Sequence, residues 1–481
     1  MKPISRRAAL VMGGVGVTSA VVGGFGLVRE LRPSLDVDTG AAFREPEVLR
    51  SEGGSLSVTL EAAPGRHVVA GREADVLAFN GGLPGPTLVL RPGDRLQIRL
   101  VNNLDQVTNL HVHGMHVSPS DNADNVFIEI GPGETFDYDY RLPQEHPPGV
   151  YWYHPHRHHL VADQLFRGLF GAIVVEDPEA LDVAAERLLV VSDTTLDASG
   201  EVVPPSFQQR MMGREGELVL VNGQAVPQID ARTGERERWR VVNACSSRFL
   251  SLRLDGHQVH LLGIDSGRFA EPVPTEQLLL APGNRGDLLV TVGKGDGVLR
   301  AVPFDRGGMG MMGGMGPGSG DGGPVRLATL SVTGDAQAAA GPLPTFDAPA
   351  DLRDAEVARR RRLVFAMGMG GGGMSFTIDG KVFDPDRTDQ GVSFGDVEEW
   401  TILNDSPMDH PFHLHVWPMQ VVVDGDGNEP ERPTWQDVVN VPARSGVRVR
   451  VAFERFDGRT VYHCHILDHE DLGMMGVVEV S

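Results

Sequence analysis

One stretch of sequence occurs three times and constrains the fold more than any other feature. Each copy begins with Gly and an acidic residue, continues as a strand-like run and ends at an Asn nine residues after the Gly: residues 93–102, 234–243 and 395–404. Alternating apolar residues are typical of a strand with one buried face. Because the copies start 141 and 161 residues apart, the repeating unit is a domain and not a short solenoid repeat.

Turn signals support an all-β reading of each unit. Asn80-Gly81, Asn222-Gly223 and Asp379-Gly380 precede the three copies, and such dipeptides favour tight hairpin turns. No segment sustains a helical period. The sequence therefore predicts three Greek-key β-sandwich domains, with an N-terminal segment at 1–40 and domains at 41–180, 181–340 and 341–481.

Composition and charge narrow the class of partner. The chain of 481 residues has the apolar (41%) and charged (22%) fractions of an ordinary globular protein, and its net charge is −22. That charge argues against nucleic acid or an anionic membrane surface as a partner and is compatible with cationic substrates.

The N-terminal segment resembles a twin-arginine export signal. Arg6-Arg7 precede a moderately apolar run to about Val28. Glycines interrupt this run, so no stable membrane insertion is expected beyond the signal. We expect export to the periplasm, cell surface or extracellular space; no clear cleavage site decides whether the segment remains as an anchor.

Ten of the 17 histidines fall in four short clusters, all in the first and third domains. These clusters are His111-x-His113, His154-x-His156, His410-x-x-His413-x-His415 and His463-Cys464-His465 followed by His469. Residues i and i+2 of a strand point to the same face, so each His-x-His offers two adjacent imidazoles. Four such pairs supply eight imidazoles, enough to hold three metal ions.

The fourth cluster also predicts a second kind of site. Alternation directs Cys464 away from His463 and His465, towards a different metal. Cys464, His410 and His469 form a His₂Cys set, and Met474 offers a weak axial thioether, which is the ligand set of a blue copper site. The other cysteine, Cys245, lies in a strand-like run and is expected to be a buried core residue; a disulfide between the two is the alternative.

These four motifs resemble the copper signatures of the multicopper oxidases, and the resemblance extends from about residue 45 to the end. It implies three cupredoxin-like domains and four copper ions: one type 1, one type 2 and two type 3. It assigns His111 and His413 to type 2 copper, and it assigns Cys464, His410, His469 and Met474 to type 1 copper. The type 3 pair receives His113, His154, His156, His415, His463 and His465. The middle domain, with His257 and His260, is expected to be structural.

The sequence departs from the family pattern after two of the motifs. The family often has Gly there, whereas Arg157-His158-His159 follows His156 and Val416 follows His415. We expect these changes to alter loop shape or access, and we expect His158 and His159 to be loop residues and not ligands.

The implied reaction is the reduction of dioxygen to water by four electrons taken singly from a reductant. The protons require carboxyl groups near the cluster. Glu470 follows a ligand directly and matches the position of a family proton donor, and Asp124 is a candidate from the first domain.

The reductant is a phenolic compound, a cuprous ion or both. Thioethers favour Cu(I), and Met408 and Asp405 precede the ligand His410. Further methionines lie in two Gly/Met-rich runs: Met309, Met311, Met312 and Met315 in the first, and Met367, Met369 and Met374 in the second. Such segments resemble those of bacterial cuprous oxidases; the alternative is a low-complexity loop with ordinary core methionines.

Two other functions remain as alternatives. A copper nitrite reductase would share the domains and the blue site, but not four His-x-His pairs in one chain. A copper-binding or copper-tolerance protein would keep the fold without turnover. Because one chain supplies both ligand-bearing domains, we expect a monomer.

Overall fold

The computed structural model describes residues 39–308, 323–335, 337, 341–370 and 373–481. The predicted export signal and the methionines Met309, Met311, Met312 and Met315 lie outside the described residues. Within the described chain, three pairs of sheets form three β-sandwich domains, and only three short helices occur. The predicted all-β fold is therefore confirmed.

The first domain contains nine strands and helix α1 (Val161–Phe166). Its strands are β1 (Val48–Arg50), β2 (Ser55–Val69), β3 (Arg72–Phe79), β4 (Thr87–Leu90), β5 (Arg95–Asn102), β6 (His111–His113), β7 (Thr135–Arg141), β8 (Gly149–His154) and β9 (Gly171–Val175). One sheet has the order β3-β2-β5-β7 and the other β1-β4-β9-β8-β6.

The middle domain contains eleven strands and helix α2 (Phe207–Met212). Its strands are β10 (Ala185–Thr194), β11 (Leu218–Val221), β12 (Gln228–Ala231), β13 (Arg236–Asn243), β14 (Leu250–Leu254), β15 (Gln258–Ile264), β16 (Gly267–Pro274), β17 (Leu278–Leu280), β18 (Arg285–Thr291), β19 (Gly297–Val302) and β20 (Val325–Val332). The sheet orders are β11-β10-β13-β18-β15-β16 and β12-β20-β19-β14-β17.

The third domain repeats the plan of the middle one, and helix α3 (Leu467–Asp471) lies between its last two strands. Its strands are β21 (Arg359–Gly370), β22 (Gly373–Ile378), β23 (Gln390–Val392), β24 (Val397–Asn404), β25 (His410–Leu414), β26 (Met419–Val423), β27 (Thr434–Gln436), β28 (Val438–Val441), β29 (Gly446–Ala452), β30 (Gly458–Cys464) and β31 (Met475–Val480). The sheet orders are β22-β21-β24-β29-β26-β27 and β23-β31-β30-β25-β28.

The three repeated segments of the sequence become equivalent strands. β5, β13 and β24 each pair in parallel with an earlier strand and antiparallel with a later one. The Asn that ends each strand is buried, and its side-chain amide bridges two loop carbonyls: Asn102 to Gln106 and Ile130, Asn243 to Arg248 and Leu280, and Asn404 to Met408 and Val441. The repeated Asn thus ties the loop after each strand to the sandwich, because buried carbonyls need a donor.

Each domain has its own apolar core between its two sheets. Leu60, Leu96 and Ile98 lie in the first core, Trp239 in the second and Trp400 in the third. Cys245 and Cys464 are both buried and free, so the expected core role of Cys245 holds and the alternative disulfide is wrong. Among the described residues, no helix is long and apolar enough to cross a membrane.

Candidate metal centres

The four histidine motifs lie on paired strands of the first and third domains. In the first domain β6 pairs with β8, which sets His111 opposite His154. In the third domain β25 pairs with β30, which sets His413 opposite His463 and Phe412 opposite Cys464. Each domain therefore presents two motifs side by side on one sheet.

Eight imidazoles from the two domains form one buried cluster. The rings of His156, His415 and His463 lie 4.6–5.2 Å apart between centroids. The rings of His113, His154 and His465 lie 4.9–6.1 Å apart. His111 and His413, which remain, are 5.7 Å apart. All eight predicted cluster residues are thus brought together, in two triplets and a pair.

Hydrogen bonds at the outer side of the cluster fix which ring nitrogen is free. Nδ1 of His111 donates to Asp124 at 3.0 Å, and Nδ1 of His154 donates to the Pro155 carbonyl at 2.8 Å. Nε2 of His113 donates to Asp437 at 3.0 Å. In each case the opposite ring nitrogen is buried without a hydrogen-bond partner. A bare imidazole lone pair in a buried site is the donor that a copper ion requires.

Two other features make the cluster suited to a cation. The Nε2 atoms of His156 and His415 lie 3.1 and 3.0 Å from Nε2 of His463, so three nitrogen lone pairs converge on one point. Burial lowers the pKa of His154 to about 3 and that of His463 to about 4. The rings are therefore neutral at neutral pH and available to a metal.

The second site is compact and lies on the other side of Cys464. Nδ1 of His410 is 3.2 Å from the Cys464 sulfur and 3.3 Å from Nδ1 of His469, and the sulfur is 4.0 Å from Nδ1 of His469. All three side chains are fully buried. Two imidazole nitrogens and a sulfur thus converge as a His₂Cys copper site requires.

Two adjacent methionines follow α3, and they occupy different surroundings. Met474 is buried in the same apolar cluster as Cys464; its N–H donates to the His469 carbonyl and its carbonyl accepts from the Cys464 N–H. Met475 belongs to a separate cluster with Val126 and Val461. Met474, and not Met475, therefore shares a buried cluster with the candidate ligand Cys464.

The two candidate proton carriers contact different histidines of the cluster. Asp124 contacts His111, accepts the Val112 N–H at 3.0 Å, and has its pKa raised by burial to about 8. Glu470 lies 3.1 Å from Nδ1 of His463 and 3.4 Å from Nε2 of His156, and burial raises its pKa well above the usual range. Each is a buried carboxyl group able to carry a proton beside the cluster.

Three of the methionines singled out in the sequence lie in or against the core of the third domain, which contains Cys464. Met408 is fully buried, and its strand-like bridge with Gly307 holds the start of the first Gly/Met run beside the ligand His410. Met367 and Met374 pack against the core cluster that contains Cys464. Asp405 is exposed and makes backbone contacts only, whereas the neighbouring Asp409 is buried.

Helix α2 of the middle domain covers the Cys464 site, which the sequence did not predict. Nε2 of His469 donates to the backbone carbonyl of Met211 at 3.2 Å, and Met211 and Met212 are buried. A backbone carbonyl has no residue signature, so no sequence pattern could have identified this contact. The only hint in the sequence that this segment is buried is the apolar pair Met211-Met212.

The unusual residues after His156 line a cavity of about 710 Å³. Its lining runs from the exposed side chains of Val382 and Leu472 to the buried ligand candidate His156, and it includes Arg157, His158 and His159. The cavity therefore borders both exposed residues and a buried residue of the histidine cluster. Neither His158 nor His159 belongs to any metal-competent group in the described part of the chain.

Val416, the other departure from the family pattern, has a strained backbone. Its φ is +59° although its side chain is β-branched and buried. Such a conformation costs on the order of 1–3 kcal/mol and persists only where the surroundings impose it. It directly follows His415, so the turn that orients this ligand is held by packing.

The middle domain places none of its histidines in a metal-competent group of the described residues. Nδ1 of His257 instead accepts the Gly293 N–H. Asp437, which contacts His113, is a further residue that the sequence did not reveal.

Comparisons with known proteins agree with this geometry. Family models described as multicopper oxidase match residues 62–180, 186–298 and 357–481. The multicopper oxidase mco of Staphylococcus aureus is 28% identical over 91% of this chain and 92% of its own length. The cell division protein FtsP of Sodalis glossinidius is 29% identical over 91% and 92%. Among solved structures, a Campylobacter jejuni multicopper oxidase described as a metallo-oxidase superposes with a TM-score of 0.81 and 30% identity, covering 92% of this chain and 96% of that one.

Proposed function

This chain belongs to the multicopper oxidase family, and on that premise we propose that it oxidises cuprous ions one electron at a time and reduces dioxygen to water. The observation that carries the choice of reductant is the bridge between Gly307 and Met408. It holds the start of the first Gly/Met run against Met408, two residues before the candidate ligand His410.

Four copper ions are the proposed cofactor. Cys464, His410, His469 and Met474 would hold type 1 copper, His111 and His413 type 2, and the two imidazole triplets the type 3 pair. Bound copper would supply the one-electron redox chemistry that links the reductant to dioxygen. The protein keeps the two sites joined through adjacent residues, since Cys464 lies between His463 and His465.

The protein's own groups control access and protons. Asp124 holds a proton beside His111 and Glu470 holds one beside His463, and the cavity beside His158 admits dioxygen and releases water. His410 and His469 are fully buried, with His469 covered by α2. A small ion held by thioethers can approach such a site more closely than a bulky phenol, which supports the cuprous ion as the reductant. The metallo-oxidase described from Campylobacter jejuni supports the same choice.

The test is oxygen uptake by the copper-loaded protein with Cu(I) and with a phenolic donor. A variant in which Met309, Met311, Met312 and Met315 become Ser should lose about tenfold in kcat/KM for Cu(I), as expected if roughly 1.4 kcal/mol of ligand contact is lost. Phenol oxidation should be unchanged, because phenols need no thioether. Equal losses with both donors, or none with either, would contradict the cuprous proposal.

A non-catalytic role is the second candidate, favoured by the similarity to a cell division protein. Against it, all ten clustered histidines, Cys464 and Met474 are present and buried. A copper-loaded protein that takes up no oxygen with any reductant would establish the non-catalytic role.

We also propose export through the twin-arginine signal. Replacing Arg6 and Arg7 with Lys should retain the protein in the cytoplasm, as shown by fractionation.

A further inference from the structure

We propose that the middle domain positions the histidine cluster through Arg285, which holds Asp437 in place as a common hydrogen-bond acceptor for His113 and His413. This inference rests on the proposed binding of copper by the cluster, and it gives the ligand-free middle domain a part in the metal site.

Arg285 joins all three domains at one point. It lies on β18, is fully buried, and forms a bidentate pair with the two carboxylate oxygens of Asp437 at 2.5 and 2.7 Å. Its Nε donates to the Val150 carbonyl of the first domain at 3.0 Å. A bidentate guanidinium–carboxylate pair fixes orientation as well as distance.

Asp437 passes this orientation to two ligand candidates. Its carboxylate accepts from Nε2 of His113 at 3.0 Å, and its backbone carbonyl accepts from Nδ1 of His413 at 2.7 Å. Both bonds set the tautomer, so Nδ1 of His113 and Nε2 of His413 remain as the unpaired nitrogens. A second middle-domain residue, Asp265, accepts the Asp437 N–H at 3.1 Å.

The same pair keeps Asp437 from acting as a ligand itself. An oxygen of this carboxylate lies within 4.8 Å of ring nitrogens of His113 and His413, in a group that could hold a metal. Both oxygens are already engaged by the Arg285 guanidinium. Without Arg285, a buried anion would face the cluster with its lone pairs free and would compete with the imidazoles for the metal.

Two glycines provide the space that this arrangement needs. A Cβ on Gly114 would lie 2.3 Å from the Arg285 guanidinium, and a Cβ on Gly283 would lie 2.8 Å from His465. Both have positive φ, +81° and +90°. The close approach of the middle domain to the cluster is therefore built into the backbone.

The experiment compares Arg285→Gln with Arg238→Gln. Arg238 is equally buried in the middle domain and pairs with Asp287 and Asp177, but it has no contact with a ligand candidate. The readouts are copper content and the electron paramagnetic resonance signal of type 2 copper, with the type 1 visible band as an internal reference. Arg285→Gln should lose or alter the type 2 signal and bind fewer coppers while the visible band persists; Arg238→Gln should match the wild type.

Arg285→Lys, which keeps the charge but not the bidentate fork, should give an intermediate signal. If Arg285→Gln fails to fold, the double variant R285Q/D437N takes its place with the same expected loss. It removes the buried charge of Asp437, and Asp265, 3.2 Å from the Arg285 guanidinium, still accepts the backbone N–H groups of residues 285 and 437. A variant with full copper content and an unaltered type 2 signal would overturn the inference and leave a structural ion pair. A wild-type protein that takes up no copper at the cluster would instead overturn the proposed function, and with it this inference.

Discussion

The middle and third domains share a framework and differ in what they attach to it. β13 and β24 occupy the same place in their sheets, and β14 and β19 of the middle domain correspond to β25 and β30 of the third. In both domains a buried Trp donates to the Glu two residues before it, at 2.8 Å. Yet β25 and β30 carry His410, His413, His463 and Cys464, whereas β14 carries Leu250, Ser251 and Leu252 at the corresponding position.

The difference shows that the sandwich and the metal sites are separable. The framework depends on core packing and on the buried Asn that ties a loop to the sandwich, and both are common to the two domains. Metal binding depends on a few side chains on two adjacent strands and on the loop that follows. The middle domain shares this framework but carries no candidate ligand on the corresponding strands. Its residues Met211 and Arg285 contact the metal centres from outside.

The two cysteines give the sharpest test of this separation. Cys464→Ser should abolish the visible type 1 band and oxygen uptake with every donor, because a hydroxyl cannot replace the thiolate. Cys245→Ser, at a buried site of the middle domain, should keep both and lower the free energy of unfolding by about 1 kcal/mol. Absorption spectra measure the visible band of the two variants, and denaturant titrations measure their free energies of unfolding. A visible band that survives Cys464→Ser would show that the His₂Cys assignment is wrong.

Glu470 tests whether the loop of the third domain adds proton transfer to metal binding. Glu470→Gln keeps the shape but cannot release a proton, so turnover should fall by about 10²-fold. The visible band and its rate of reduction under anaerobic conditions should stay unchanged, because the electron enters elsewhere. Stopped-flow reduction together with oxygen uptake makes the measurement, and a slower reduction step would contradict the proposed role.

The paired Asn residues test the shared framework itself. Asn243→Ala and Asn404→Ala each remove the side-chain amide that donates to at least two loop carbonyls, and each should lower the free energy of unfolding by about 2–3 kcal/mol. Only Asn404→Ala should also shift the visible band, because its amide holds the carbonyl of Met408 near His410. Thermal melts combined with spectra of both variants measure this. If the spectra of the two variants are equal, the loop that contains Met408 keeps its shape without the Asn404 hydrogen bonds.

The smallest expected effect concerns the axial thioether. Met474→Leu should raise the reduction potential of type 1 copper without unfolding the protein, since the axial ligand tunes the potential. Met475→Leu is the matched control and should leave the potential unchanged. Redox titration of the visible band measures both. If only Met475→Leu changes the reduction potential, Met475 and not Met474 is the axial ligand.

Features encoded within a few residues could be predicted from the sequence. The strand repeat, the His-x-His spacing and the position of Cys464 between two histidines gave the fold and the grouping of the ligand candidates. Contacts across the chain could not be read in this way. Arg285 is 152 residues from Asp437, and Asp437 is 324 residues from His113, and no local pattern marks such partners. The burial of Asp409 and the exposure of Asp405 were equally hidden, because both precede the same ligand.

The order of the ligand candidates along the chain has a consequence for biosynthesis. Those of the first domain appear by His156, but both sites also need residues between His463 and Met474. The histidines of the first domain therefore leave the ribosome long before the residues that complete either metal centre. Neither centre is complete until residues 463–474 have been synthesised. Loading of both centres with copper must therefore follow synthesis of the third domain, and a chain interrupted before His463 lacks candidate ligands of both centres.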